Sequence, residues 1–220
     1  MAVPTNALKP FDPLEVENIG VTLAVELLEQ PLHSMPPEEA FAGAGVYALY
    51  FSGDHDAYTS LVKLDGGRQK FPVYIGKAAG ESSKQGFISQ TGGKKKLYDR
   101  IRNHASSIDE VSNLDISDFC CRFLVLNDAY ISLAESAMIR VFRPPWNGMS
   151  FGSKVVGNNR MSGTPSLWDS LHPGRGGRPA GSNDRAEEAA NLIGLRVSGL
   201  KTEIEDPVIR RMYERIMKFV

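Results

Sequence analysis

Cysteine is almost absent from this chain: its 220 residues hold only Cys120 and Cys121, side by side. Neighbours in an extended strand point to opposite faces, so this pair suits neither a disulfide nor a shared metal ion. Both are expected to be reduced packing residues, as in a cytoplasmic protein. Long apolar runs are missing too. No stretch approaches the roughly 20 consecutive apolar residues that span a bilayer. The start, Met1 to Leu14, lacks the basic segment and apolar run of a secretory signal. A soluble chain with no membrane partner is expected, and the absence of repeats and heptads excludes solenoids and coiled coils. What remains, at 42% hydrophobic residues, is enough for one well-buried core.

Charge is nearly balanced overall, at −1, but not along the chain. Residues 1–60 carry nine acids against Lys9 alone, whereas residues 61–104 carry ten Lys and Arg against Asp65, Glu81 and Asp99. A basic middle on a near-neutral chain points to a localised polyanion footprint, although a solvated charged face would look the same.

Periodicity and chain breakers divide the sequence into three parts. Residues 1–42 form an N-terminal arm with a helix over 13–30, ended by Pro31, Pro36 and Pro37, and a short turn or helix over 38–42. Residues 43–150 form the core. Val46 to Phe51 is β-rich and bounded by Gly45 and Gly53, hence a strand. Residues 58–64 are a short helix or a paired extension, Gly66-Gly67 is a turn, and Phe71 to Ile75 is a second strand pairing antiparallel with the first. Residues 78–96 read as an inserted basic loop, 94–108 as a helix, and 119–126 as a third strand. Asp128 is a plausible N-cap for a helix that Pro144-Pro145 ends. Residues 151–220 are a Gly- and Arg-rich segment followed by closing helices over 185–195 and 207–220, with 148–184 expected to be a long loop.

Several residues of the core carry chemistry. Tyr47 and Tyr74, in two neighbouring expected strands, are two phenols on one sheet; they could hold a water or share a proton, though strand tyrosines usually pack. Arg100 and His104 are four apart, so they share one helix face; a guanidinium can grip a phosphate and an imidazole can move a proton. Glu135 lies among Leu133, Ala134, Ala137 and Met138, where a bare carboxylate is costly. It is expected either to pair with Arg140 or Arg143, or to ligate a hard cation such as Mg²⁺.

In order and spacing these residues are similar to a known signature. Gly45-Val46-Tyr47 followed by Tyr74-Ile75-Gly76 resembles that of the GIY-YIG nuclease superfamily, with Val46 replacing the isoleucine. Arg100 and His104 on the next helix, Glu135 on a later one, and Asn147 within Pro145-Trp146-Asn147 fill the family's remaining positions in order. The resemblance implies an α/β (α+β) domain, a small central three-stranded antiparallel sheet flanked by helices, here with an N-terminal helix and DNA-binding loop insertions. It implies hydrolysis of a phosphodiester with one Mg²⁺ or Mn²⁺ ion per active site, held by Glu135. Carried over by position, Tyr47 activates or hydrogen-bonds the attacking water, while Tyr74 and His104 orient that water and tune Tyr47. Arg100 stabilises charge on the phosphate, and Asn147 braces Tyr47 or Tyr74. Lys77 assists proton transfer or phosphate binding. An ordinary phenol ionises near 10, so a Tyr47 base calls for depression by nearby cations.

Among the family's branches, the one with a Cys/His zinc domain is excluded by having two adjacent cysteines only. Basic loops on a compact core resemble the type II restriction endonuclease branch. Lys84, Lys94, Lys95 and Lys96 in the first loop, and Arg160, Arg175 and Arg178 in the second, are the expected DNA contacts. That branch implies cleavage of double-stranded DNA at a short G·C-rich palindrome, CCGCGG in some relatives of this layout, leaving 5′-phosphate and 3′-hydroxyl ends. It further implies a homodimer, because one site cuts one strand, and a cognate DNA methyltransferase acting on the same site. The alternatives are a homing-type or repair endonuclease of the same family, or a catalytically silent DNA-binding module.

Overall fold

The structure is a computed structural model that describes residues 12–79, 94–152, 164–201 and 207–218. Among these, β1 (His33–Ser34), β2 (Gly45–Phe51), β3 (Tyr74–Ala78) and β4 (Phe119–Val125) make one antiparallel sheet in the order β1-β4-β2-β3. The three expected strands are contiguous in it, with β2 between β4 and β3, and β3 at one edge. The fourth, β1, is an addition: two residues between prolines that pair with Cys121 and Cys120. A strand of two residues has no alternation to detect.

β2 is buried along its whole length. Its residues alternate between two cores because side chains in a strand alternate between faces. Tyr47, Leu49 and Phe51 enter one core, with α2 (Thr59–Asp65), α3 (Lys96–Asp109), α5 (Leu167–Leu171) and α6 (Asn183–Lys201) over it. Val46, Ala48 and Tyr50 enter the other, covered by α1 (Val16–Glu29), α4 (Asp128–Phe142) and α7 (Pro207–Met217). α1 spends its apolar side, Val21, Ala24 and Leu27, inside this second core. α7 is fastened to it: Arg211 donates to Glu17 at 2.6 Å, and Arg215 donates to Asn18 Oδ1 at 2.6 Å.

Local chemistry shifts several expected boundaries. Pro72 has no N–H to donate, so β3 begins at Tyr74 and runs on through Gly76 and Lys77 to Ala78, past the expected end at Ile75. Residues 38–42 contain no helix. The N-cap of α4 is Asn127, whose side chain accepts from Ala129 N at 3.1 Å; Asp128 is instead the first helical residue, a favourable place for an acid. The expected long loop over 148–184 contains α5, whose Trp168 is fully buried. Cys120 and Cys121 are free thiols that burial pushes up to about 11 and about 12.

Both glycines of the signature are forced by contact. A Cβ on Gly45 would lie 2.0 Å from Leu124 O, and one on Gly76 would lie 2.4 Å from the Tyr47 hydroxyl oxygen. Gly76 stands opposite Tyr47 in the register, so the Tyr47 ring lies across it. Only the missing side chain of residue 76 admits that ring.

Candidate active site

The sheet places Leu49 opposite Tyr74 and Tyr47 opposite Gly76, so the two tyrosines are diagonal neighbours on one face. Their ring centroids are 6.1 Å apart. α3 crosses above them. Its buried side, Leu97, Ile101, His104, Ala105 and Ile108, repeats at three- and four-residue intervals, and His104 is the polar member of that row. The start of α3 is tied to the chain entering β2, with Leu97 N donating to Gly43 O and Gly43 N to Lys94 O, each at 3.0 Å. That tie sets the height of His104 over Tyr47.

His104 Nε2 lies 2.7 Å from the Tyr47 hydroxyl. Burial first, then Arg100 and Arg175, pull the imidazole down to about 3 from its ordinary 6.5. It is therefore neutral at any physiological pH, with one ring nitrogen open as an acceptor. Tyr47 is enclosed: burial and the neighbouring Tyr74 push its phenol well above the usual 10, and the opposing pull of Arg100 does not offset them. The expected depression of Tyr47 is thus absent in the protein alone. Tyr74 is also raised, chiefly by burial, against Arg100 and in the same direction as the charge of Glu135.

Arg100 reaches the same place from one helical turn before His104. Its Nη2 donates to Gly152 O at 3.0 Å. Gly152 has φ +73, and a Cβ there would lie 2.6 Å from His104 and 3.1 Å from the Tyr74 hydroxyl. The backbone at Gly152 therefore lies directly on the Tyr–His–Tyr cluster. Phe151 packs edge-on to Tyr74 at 5.1 Å and over His104 at 4.7 Å. Phe151 and Gly152 were not among the residues expected from sequence, where they are hidden in a Gly- and Ser-rich stretch without periodicity.

Glu135 does not pair with Arg140 or Arg143. Its Oε2 is 2.7 Å from Lys77 Nζ, and Lys77 also donates to Ser132 Oγ at 3.3 Å. Lys77 comes from the neighbouring strand, so spacing along α4 gives no sign of it. The carboxylate is not sealed among apolar groups, being 20% exposed at the rim. Among the described residues no three His, Cys, Asp or Glu side chains gather as a metal cage. One hard carboxylate, open to solvent on one side, fits a cation such as Mg²⁺ that keeps most of its shell as water and phosphate oxygen.

Asn147 sits in the 3₁₀ turn Pro145–Gly148. Its amide braces neither phenol. Oδ1 accepts from Ile75 N at 2.9 Å and Nδ2 donates to Ile75 O at 2.7 Å, gripping the peptide between Tyr74 and Gly76. The turn is itself held by Trp146, whose Nε1 donates to Tyr58 at 2.7 Å.

The expected DNA contacts divide. Lys94 and Lys95 are exposed at the N-terminus of α3, and Lys96 opens that helix. Lys84 and Arg160 lie outside the described residues. Arg175 does not face solvent: it pairs with the buried Asp169 at 2.5 Å and stacks 4.7 Å above Trp168, an ion pair whose partners are supplied by α5. Arg178 is half-buried in the same loop.

The sequence profile described as the Eco29kI GIY-YIG domain matches residues 39–196. No curated protein matches the chain. Among the described residues no helix is long and apolar enough to cross a membrane.

Proposed function

Because the chain belongs to the Eco29kI GIY-YIG family of nucleases, we propose that it is a type II restriction endonuclease, cutting double-stranded DNA at a short palindrome. The observation that carries this is the meeting of Tyr47, Tyr74, Arg100 and His104 on one sheet face, with Glu135 and Lys77 at its rim. Glu135 would hold one Mg²⁺ or Mn²⁺, which when bound supplies positive charge to the phosphate oxygens and leaving group.

The residues divide the remaining work. A raised Tyr47 phenol is not a standing base, but it need not be one. Its hydroxyl proton can pass to His104 Nε2, 2.7 Å away, as its oxygen takes a proton from the attacking water. Tyr74, nearer the opening, orients that water. Arg100 meets the charge developing on phosphate, exchanging its contact with Gly152 O for one with the substrate. Lys77 shields Glu135 and is placed to reach a phosphate oxygen. Asn147 fixes the peptide that sets Tyr74 and Gly76. The products are a 5′-phosphate and a 3′-hydroxyl. Two copies related by a two-fold axis would cut both strands of a G·C-rich palindrome such as CCGCGG, which a companion methyltransferase would protect.

Digestion of phage DNA with and without Mg²⁺, by the wild type and by Glu135→Ala, tests this. Discrete ends sharing one palindrome, lost in the variant or without metal, are expected. Cutting confined to branched DNA would move the protein to a repair role, and cutting at a long degenerate target to a homing one.

A further inference from the structure

Ile139, Arg140, Arg143, Leu195 and Arg196 line an open hollow of ≈ 420 Å³ between the end of α4 and the middle of α6. None of these residues belongs to the site described above. Three of the five carry a guanidinium and none carries a carboxylate. The like charges of Arg143 and Arg196 at one hollow repel, a cost that a bound anion removes. Guanidinium groups are also the side chains whose donor geometry matches phosphate. Among the described residues Arg143 and Arg196 have no ion-pair partner.

The hollow adjoins the nuclease site on two sides. Ile139 lies one turn beyond Glu135 on the same side of α4, and Arg143, the left-handed residue that caps the helix, follows directly after its last turn, so the hollow opens at the end of the helix that carries Glu135. Seven residues of helix and the cap step take the chain from Glu135 to Arg143, about 12 Å at the helical 1.5 Å each. A DNA strand covers that in a few nucleotides, rising about 3.4 Å at each. On the other side, Arg196 Nη2 lies 3.0 Å from where a Cβ on Gly148 would stand, next to Asn147. The Arg143 guanidinium lies against Gly199, one turn beyond Leu195 and Arg196. The basic character is also confined: the adjoining hollow beyond Leu195 is lined by Asp184, Glu187 and Glu188 and repels a polyanion.

We propose that the Arg140–Arg143–Arg196 hollow binds a backbone phosphate of the DNA strand, a few nucleotides from the bond broken beside Glu135. This rests on the nuclease reading and adds a contact that positions DNA without reading bases.

The test uses the full-length protein and a duplex bearing the sequence that the wild type cuts, with Ca²⁺ in place of Mg²⁺ to suppress cleavage. Phosphates near the cut are neutralised one at a time as methylphosphonates. One position, three or four nucleotides from the cut, is expected to weaken wild-type binding severalfold, and to have no further effect on the double variant Arg143→Gln, Arg196→Gln. That variant should also lower the slope of log affinity against log salt by about one, equally on all sequences. Lysine at both positions should restore part of the affinity. The scan on the wild type stands even if the variant folds poorly: no sensitive phosphate in that interval overturns the proposal. So does a variant with unchanged salt slope, or one whose only change is loss of a dimer in sedimentation, which would assign the hollow to a second copy of the chain. A wild type that neither binds nor cuts duplex DNA overturns the nuclease reading itself, a failure visible before any variant is made.

Discussion

The protein contains two buried tyrosine–histidine pairs on the same side of its sheet. In one, Tyr47 lies 2.7 Å from His104; in the other, Tyr58 lies 2.6 Å from His172. Burial pulls both imidazoles down to about 3. Chemically the two pairs are alike, yet their surroundings assign them different work. The Tyr58 oxygen accepts from Trp146 Nε1 and so gives its own proton to His172 Nε2. His172 Nδ1 then donates to Asn113 Oδ1 at 3.0 Å, and Asn113 Nδ2 donates to Leu171 O at 2.9 Å. Each of these donors ends on a protein acceptor, and the chain of bonds ties Trp146 to α5. The Tyr47–His104 pair is equally buried but has Tyr74 and Arg100, two further polar groups, against it. The Tyr58–His172 arrangement reads as a fastening; that of Tyr47 and His104 is the one that the proposed function puts to use.

Exchanging hydroxyls for hydrogens should separate the two. Tyr47→Phe keeps the ring packing and removes the hydroxyl, so the cleavage rate is expected to fall about 10²- to 10⁴-fold, with a stability cost of about 1–3 kcal/mol for the one His104 nitrogen left without its partner; single-turnover cutting and calorimetry would show both. Tyr58→Phe should spare the rate and cost more stability. It strands the Trp146 N–H and a His172 nitrogen in a dry core, which costs about 1–3 kcal/mol for each group left unmade, while the single-turnover rate at saturating DNA changes only a few-fold. Equal rate losses in the two variants would erase the distinction.

Acid probes what the pairs share. Both histidines stay neutral in the folded protein down to about 3 but take up a proton near 6.5 once unfolded. Unfolding between those values therefore consumes protons. Stability should be at its full value above pH 6.5 and decline as pH falls, by about 1.4 kcal/mol per pH unit for each histidine. Urea titrations from pH 7 to 4 would measure the slope, and His172→Gln should make it shallower without altering the pH profile of cutting. The smallest effect belongs to a residue in neither pair. Asn127→Ala removes the cap of α4 and should cost about 1 kcal/mol, leaving the relay intact and the rate at saturating DNA within a few-fold.

Legibility in the sequence followed how local each feature is. The Tyr47–His104 pair was readable because its members fall on a strand and a helix announced by periodicity and by the order of the signature. The Tyr58–His172 pair was not: its members are 114 residues apart, and nothing near His172 marks α5 as a packed helix. β2, α3, β4 and α4 were legible for the same reason, whereas β1 is too short to have a pattern. Partners across elements stayed hidden. Glu135 invited a cation from its own helix, but the sheet delivers Lys77. Arg175 looked like a groove contact until Asp169 and Trp168 enclosed it.

The grip of Asn147 on Ile75 bears on more than catalysis. Among the described residues β3 is the last strand of the sheet, so its outward N–H and C=O groups form a template on which another chain could zip. Trp146 N donates to Val73 O at 3.0 Å, and the Asn147 amide takes both groups of Ile75. Together they occupy that border at Val73 and Ile75, and they come from the 3₁₀ turn Pro145–Gly148, which is not itself a strand. The asparagine that holds Ile75, between Tyr74 and Gly76, is thus also a hem, occupying backbone groups on which another strand could otherwise pair.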